Sequence, residues 1–151
     1  MGRSPIAAWL DRIYPSVSNE GYMSVAASTL TLIVVDDDLD IRRAVGRSLR
    51  SHGYEVHLFE SGEECLAQDR DADCAIVDIG LPGVNGFEME EQLRTRGRAM
   101  PVVFVTAHDD PARRARLRTP MPVLRKPIEE RDLLEAIERA TGLERPTANQ
   151  P

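Results

Sequence analysis

The sequence predicts an α/β fold in which five strands, each followed by a helix, form a doubly wound five-stranded parallel sheet. Apolar runs of strand length alternate along residues 30–142 with segments whose apolar residues recur at helical spacing. The runs are almost continuously apolar, as expected of strands that are buried on both faces. A polar or charged residue closes four of the runs, at the strand ends where open α/β sheets place their ligands.

The order of the elements follows from where each apolar pattern starts and stops. Short apolar runs between turn residues are predicted strands, and amphipathic segments are predicted helices. In chain order we expect strand 30–35, helix 39–52, strand 54–59, helix 62–67, strand 74–77, helix 87–96, strand 101–106, a helix that opens at Asp110 or Pro111 and has ended by Pro120, strand 121–124 and helix 129–141.

Individual residues mark several of these boundaries. Gly53 and Gly142 are the expected stops of the first and last helices, because glycine readily ends a helix. Ser61 and Glu64 have the spacing of a capping box at the start of the short second helix. The strand at 54–59 alternates polar and apolar residues, which is typical of a less buried edge strand.

Length and composition place the chain among single-domain globular proteins. Its 151 residues suit one domain, and hydrophobic and charged contents of 42% and 29% are ordinary for that class. A net charge of −6 argues against non-specific nucleic-acid binding, which needs a basic face. No apolar stretch predicts a membrane span or a secretory signal, so we expect a cytoplasmic protein. Cys65 and Cys74 are then expected to be reduced core residues.

The two ends of the chain differ from its centre. Residues 1–29 contain an apolar patch around Trp9 that is broken from Pro15 onward, and we interpret them as a disordered or loosely docked extension. A second interpretation is that translation starts at Met23, which follows a purine-rich coding run resembling a ribosome-binding site. A third is a functional docking helix. Residues 143–151 are expected to form a disordered tail.

Acidic residues close the first and third strands. Asp36, Asp37 and Asp38 follow the first run, and Asp78 follows the third. Carboxylates that meet at one sheet edge repel each other unless a cation or a proton intervenes. Mg²⁺ prefers such oxygen ligands, so Asp36, Asp37 and Asp78 are candidates to hold it. The main-chain carbonyl of Gly80 is a further candidate ligand, whereas Asp38 is better placed as the N-cap of the first helix.

The fourth and fifth strands end on groups that complement an acidic cluster. Thr106 brings a hydroxyl to the end of the fourth strand, and Lys126 brings an ammonium group to the end of the fifth. With the carboxylates, these groups suit phosphoryl transfer, in which catalysis is mostly positioning and charge neutralisation. Asp78, central in the set, is the candidate nucleophile, because a carboxylate can form an aspartyl phosphate. Each residue alone has an ordinary role in a turn or cap, and the ordered set carries the inference.

The chain resembles a receiver domain of the response regulators in two-component phosphorelay signalling. Five segments carry the resemblance, and they occur in the family's order within residues 30–142. They are Val34-Val35-Asp36-Asp37-Asp38, Ile76-Val77-Asp78, Leu81-Pro82-Gly83-Val84-Asn85-Gly86, Val105-Thr106-Ala107 and Leu124-Arg125-Lys126-Pro127.

The resemblance implies a fold and an acidic site. The sheet would have the flavodoxin-like strand order 2-1-3-4-5. Asp78 would be the phosphoacceptor. Asp36 and Asp37 would hold Mg²⁺, with Asp37 the more direct ligand, and Gly80 would give the metal a main-chain carbonyl.

The resemblance also implies how the phosphoryl group is held and where it comes from. Thr106 and Lys126 would bind the phosphoryl oxygens, and the peptide bond between Lys126 and Pro127 would be cis. The donor would be a histidine kinase or a phosphotransfer protein, met through the first helix and the loop after the fifth strand.

Two features depart from the family's pattern. Receivers usually carry Tyr or Phe three residues before the lysine, and here that position is Val123, whose β-branched side chain cannot make the ring's inward swing. The segment from Thr106 to Lys126 is slightly shorter than usual and holds four arginines between 113 and 118. These arginines are interpreted either as a solvated basic face or as a recognition patch for an acidic partner.

The leading hypothesis is a stand-alone receiver that promotes its own Mg²⁺-dependent phosphorylation and is not a metabolic enzyme. It would signal by binding a downstream protein, without a DNA-binding domain or a membrane partner, and phosphorylation could produce a homodimer. One alternative, favoured by Val123, is a receiver-like interaction module that works without phosphorylation. Another is a hydrolase resembling acid phosphatases, but Gly80 cannot supply the general acid that such enzymes carry at that position.

Overall fold

The computed structural model describes residues 29–68, 70–108, 115 and 121–146, and this part of the chain contains five strands and four helices. The N-terminal extension and the helix expected between 110 and 120 lie outside the described residues. The strands are β1 (Thr31–Val35), β2 (Glu55–Phe59), β3 (Cys74–Asp78), β4 (Val102–Thr106) and β5 (Val123–Arg125). The helices are α1 (Leu39–Ser51), α2 (Gly62–Ala67), α3 (Gly86–Thr95) and α4 (Glu130–Thr141).

The five strands form one parallel sheet in the order β2-β1-β3-β4-β5, which confirms the predicted fold class. Alternate side chains of β1 enter different cores, because successive residues of a strand point to opposite faces. Leu32 and Val34 pack in the core that α1 and α4 cover. Ile33 and Val35 pack in the core that α2 and α3 cover. Helices therefore flank the sheet on both sides.

Several strand boundaries differ by one or two residues from those expected, and the pairing of the strands explains two of the differences. β3 extends one residue further, to Asp78, because the main chain of Asp78 still pairs with Val105 of β4. β5 begins at Val123 rather than Met121. Pro122 accepts a hydrogen bond from the main-chain N–H of Phe104 at 2.9 Å but has no N–H to return one.

Helix caps confirm one prediction and correct another. The carboxylate of Asp38 accepts hydrogen bonds from the N–H groups of Asp40 and Ile41, as an N-cap of α1 should. The expected capping box at Ser61 is only half formed. Its hydroxyl accepts from Glu64 N–H, but the Glu64 carboxylate accepts from Glu60 N–H instead. A complete capping box is found at α3, between Asn85 and Glu88.

The chain continues to pack beyond the boundary expected at residue 142. Gly142 ends α4 at a φ of 69°, and its N–H donates to the carbonyl of Glu138. Leu143 then packs its apolar side chain against the core that α1 and α4 cover. Arg145 forms an ion pair with Glu138. Residues 143 and 145 of the expected tail therefore contact the folded domain, and residues 147–151 lie outside the described part.

The two cysteines lie in the core, as predicted, and both are free and buried. Burial raises the pKa of Cys65 to about 11 and that of Cys74 to about 12, so both thiols stay protonated at neutral pH. Of the helices in the described residues, none has the length and apolar character that crossing a membrane requires.

Replacing Gly86 with alanine is expected to destabilise the fold by about 1–3 kcal/mol, as overpacking of a tight site does. A Cβ at Gly86 would lie 2.7 Å from the carbonyl oxygen of Asp78 and 3.0 Å from the Cα of Ile79, and neither backbone atom can rotate away. Urea unfolding measures the change in the free energy of unfolding. The matched control is Gly80→Ala, whose Cβ would make only an ordinary 3.5 Å contact. Equal stability of the two variants would contradict this account of the close approach.

Candidate functional site

Four predicted site residues lie at one edge of the sheet. Asp78 and Thr106 are the last residues of β3 and β4, while Asp36 and Lys126 directly follow β1 and β5. These four strands are neighbours in the sheet, so their carboxyl ends bring the side chains together. The main-chain N–H of Lys126 donates to the carbonyl of Thr106 at 2.8 Å, which extends the ladder to the lysine itself.

Lys126 links the two buried carboxylates. Its Nζ lies 2.9 Å from Asp36 Oδ2 and 2.9 Å from Asp78 Oδ2. Asp36 is 3% exposed and Asp78 is 7% exposed, so both carboxylates have left most of their water. Carboxylates buried this close together repel each other unless a cation or a proton intervenes, and the ammonium group of Lys126 is such a cation.

The pKa values reflect the balance between burial and pairing. Burial raises the pKa of Asp36 above its usual value, and the hydrogen bonds from Lys126 and from Asp38 N–H offset this only in part. Burial also acts to lower the pKa of Lys126, but the hydrogen bonds to Asp36 and Asp78 outweigh it and the pKa rises. The pKa of Lys126 rises because two carboxylates accept hydrogen bonds from its ammonium group. The pKa of Asp36 also rises, because burial outweighs the one ammonium group that it shares with Asp78. Lys126 is therefore a fixed positive charge at neutral pH.

The remaining carboxylate oxygens show which residue is free to meet a metal. Asp36 Oδ1 accepts from Asp38 N–H at 2.9 Å, and Asp78 Oδ1 accepts from Gly80 N–H at 2.8 Å. Asp37 is exposed, and one of its oxygens lies within 4.8 Å of an oxygen of each of the other two. Three carboxylates and one ammonium group leave two formal negative charges. An all-oxygen set with that charge fits a hard divalent cation such as Mg²⁺.

Thr106 is buried, but its hydroxyl points to its own loop. The hydroxyl donates to the carbonyl of His108 at 2.6 Å and accepts from the N–H of His108 at 3.2 Å. To bind an oxyanion at Asp78, the hydroxyl must release the His108 carbonyl. The sequence did not predict this bond, because it depends on a side-chain rotamer and not on a residue pattern.

The loop after β3 is held close to the acidic site. The N–H of Gly86 donates to the carbonyl of Ile79 at 3.3 Å, which closes the loop on itself. From α2, the carboxylate of Glu63 accepts from Val84 N–H at 2.7 Å, and this hydrogen bond lowers the pKa of Glu63. Gly80, whose main-chain carbonyl is the expected metal ligand, lies in this restrained loop beside Asp78.

Val123 is the position at which the resemblance to receivers leads us to expect an aromatic ring. It is partly buried and stands opposite Phe104 in the register of β4 and β5. The ring of Phe104 instead meets Phe87 of α3, with centroids 5.0 Å apart and planes at 58°. Aromatic packing beside this position thus comes from β4 and α3, which the sequence did not indicate.

Arg42, which the sequence did not single out, touches the acidic site from α1. Its Nη1 donates to the main-chain carbonyl of Asp36 at 2.8 Å. The sequence does place Arg42 in the first turn of the helix that follows the aspartates. From that position an arginine side chain can reach back to the end of the strand, and this could have identified it.

Comparisons with known proteins identify the family of the chain. A family model described as the response regulator receiver domain matches residues 32–138. Nodulation protein W of Bradyrhizobium diazoefficiens is 31% identical over 130 residues, which cover 83% of this chain and 57% of that protein. The transcriptional regulatory protein TdiR of Thauera aromatica is 30% identical over 124 residues, which cover 80% of this chain and 55% of TdiR. The chain therefore spans little more than half the length of these relatives.

Solved structures show the same similarity. The chemotaxis protein CheY4 of Vibrio cholerae matches with a TM-score of 0.70 at 28% identity, over 75% of this chain and 99% of that one. A response regulator receiver protein from Burkholderia phymatum matches with a TM-score of 0.64 at 35% identity, over 78% of this chain and 99% of that one. By its sequence over residues 32–138 and by its fold, the chain belongs to the response regulator receiver domain family.

Proposed function

We propose that this chain is a phosphorelay receiver whose Asp78 accepts a phosphoryl group from a histidine kinase or a phosphotransfer protein. Membership of the receiver family already places the chain in phosphorelay signalling. The observation that supports the finer assignment is the contact of Lys126 Nζ with both Asp36 and Asp78, 2.9 Å each, at a buried sheet edge beside Asp37. A carboxylate, a neighbouring acidic pair and a fixed cation are the parts that aspartyl phosphorylation requires.

Mg²⁺ is the cofactor of this proposal. Asp36, Asp37 and Asp78 would hold it, and the main-chain carbonyl of Gly80 would add a ligand. When bound, Mg²⁺ neutralises negative charge on the carboxylates and on the incoming phosphoryl oxygens. The chain's contribution is to keep the acidic side chains on rigid strand ends, as the hydrogen bonds of Asp36 and Asp78 to the main chain do.

In the proposed reaction, an oxygen of Asp78 attacks the phosphorus of a phosphohistidine. A bond forms between that oxygen and phosphorus while the bond between phosphorus and the imidazole nitrogen breaks. The imidazole keeps the electron pair of the broken bond and takes up a proton from solvent. Asp78 is suited to this role because it ends β3 at the centre of the site.

Two contacts of the resting site would change when the phosphoryl group arrives. Lys126 is already charged, so its hydrogen bond to Asp78 Oδ2 can pass to a phosphoryl oxygen without a proton transfer. The Thr106 hydroxyl would rotate from the carbonyl of His108 to another phosphoryl oxygen. This would release the loop at His108, which is the proposed first step in reporting phosphorylation.

The phosphorylated chain would act by binding another protein, either a downstream partner or a second copy of itself. The alternative of an interaction module that works without phosphorylation has only the side chain of Val123 in its favour. Such a module would have no need to bury two carboxylates on one lysine, which costs desolvation energy. The phosphoacceptor assignment explains that arrangement and is therefore preferred.

Incubation with Mg²⁺ and acetyl phosphate is expected to add the mass of one phosphoryl group, measured by intact-protein mass spectrometry. Asp78→Asn should lose the gain because an amide is not a comparable nucleophile. Asp38→Asn is the matched control, since asparagine serves equally well as the N-cap of α1 and the gain should persist. A wild-type protein that gains no mass with any phosphodonor would refute the proposal.

Mg²⁺ is expected to raise the Tm of the wild-type protein, and Asp37→Asn should lose most of that rise. A ligand that binds only the folded state adds about 2.7 kcal/mol at a hundred times its Kd. Differential scanning fluorimetry across a Mg²⁺ titration measures the shift, with Asp38→Asn again as control. A full shift in Asp37→Asn would remove Asp37 from the proposed metal site.

Lys126→Met is expected to lower the free energy of unfolding by about 1–3 kcal/mol at neutral pH, because two buried carboxylates lose their shared donor. The loss should shrink as the pH falls through the raised pKa of Asp36. Without the lysine the pKa of Asp36, already raised by burial, rises further. A carboxyl with a higher pKa when folded takes up its proton preferentially in the folded state, so acid favours folding of this variant.

Urea unfolding at several pH values tests the effect of the lysine. The double variant Lys126→Met/Asp36→Asn should recover stability at neutral pH, because only one of the two paired carboxylates remains. A loss that is the same at every pH would show that Lys126 stabilises the fold by packing instead of by charge.

A further inference from the structure

We propose that Arg42 is a positioning residue for the metal-binding carboxylates. In this role its guanidinium restrains the peptide unit between Asp36 and Asp37. That restraint would position the carboxylate of Asp37 for binding the cation. The inference rests on the proposed function, because it concerns the same Mg²⁺ site. It adds a residue from α1 to a site otherwise built from strand ends and the loops that follow them.

The contact completes the polar environment of Asp36. Asp36 N–H donates to the carbonyl of Phe59 at 3.2 Å, and its two carboxylate oxygens accept from Asp38 N–H and from Lys126 Nζ. Its main-chain carbonyl accepts from Arg42 Nη1 at 2.8 Å. Every polar group of this buried residue thus has a partner, and Arg42 supplies the partner of its main-chain carbonyl.

The same contact reaches Asp37 through covalent geometry. The carbonyl of Asp36 and the nitrogen of Asp37 belong to one planar peptide unit, so a restraint on the carbonyl is a restraint on the start of Asp37. Asp37 is exposed, whereas Asp36 and Asp78 are buried and hydrogen-bonded. Asp37 is therefore the carboxylate whose position depends most on its backbone.

Charge and positioning predict opposite effects of removing Arg42. A guanidinium close to a cation site repels the cation, so loss of the charge alone would tighten Mg²⁺ binding. Loss of the restraint would weaken it, and partners one step beyond the metal ligands typically change metal affinity by about 10–100-fold. Arg42 is partly exposed, so solvent weakens the repulsion between its guanidinium and the cation, and we expect positioning to dominate.

The chain offers a matched control on the same helix. Arg50 Nη2 donates to the main-chain carbonyl of Val56 at 2.9 Å, so it also ties α1 to a strand through a partly buried hydrogen bond. Val56 lies within β2 and does not border the acidic cluster. Arg50→Met therefore removes the same kind of hydrogen bond without changing the contacts of the acidic cluster.

The test is Mg²⁺ binding by isothermal titration calorimetry on the wild type, Arg42→Met, Arg42→Lys and Arg50→Met, with urea unfolding of each. Arg42→Met should bind Mg²⁺ about tenfold more weakly. Arg42→Lys should recover part of the affinity, because lysine keeps the charge and can donate one hydrogen bond. Arg50→Met should match the wild type in affinity while losing stability like Arg42→Met.

A second measurement separates positioning from general damage. The Mg²⁺ concentration that gives half-maximal phosphorylation by acetyl phosphate should rise in Arg42→Met, while saturating Mg²⁺ should restore the wild-type rate. Unchanged or tighter Mg²⁺ binding in Arg42→Met, or equal weakening in Arg50→Met, would overturn the inference and leave the proposed function standing. A wild-type protein that binds no Mg²⁺ and gains no phosphoryl group would overturn both.

Discussion

The ammonium group of Lys126 makes it possible to bury two carboxylates side by side at the edge of this sheet. Asp36 and Asp78 each lie 2.9 Å from it, at the ends of neighbouring strands. Without the ammonium group, their two carboxylates would repel each other. Strand pairing carries the lysine to this point, since its N–H still bonds to the end of β4. The rest of the site is arranged around this pair, including the exposed Asp37, the loop of Gly80 and the hydroxyl of Thr106.

The site also shows how resting contacts can prepare a reaction. The oxygens of Asp36 and Asp78 are already held by main-chain N–H groups, so an incoming group meets oriented carboxylates. Thr106 is the exception, because its hydroxyl is held by His108. In the proposed function, this hydroxyl and the main chain of His108 would report a change at Asp78.

The sequence predicted the sheet and the residues at its edge well, because both depend on periodicity and strand order. It did not predict hydrogen bonds from side chains to main-chain groups outside their own helix or strand. The contacts of Arg42 with Asp36 and of Glu63 with Val84 depend on rotamers and loop closure. The capping box expected at Ser61 illustrates the limit, since its Glu64 satisfies a different N–H.

The most direct test of the central claim is chemical identification of the phosphorylated residue. After phosphorylation with Mg²⁺ and acetyl phosphate, borohydride reduces an aspartyl phosphate to homoserine, and peptide mass spectrometry locates it. The account predicts homoserine at position 78 in the wild-type protein. Homoserine at position 36 or 37, or none in a protein that has gained a phosphoryl group, would contradict it.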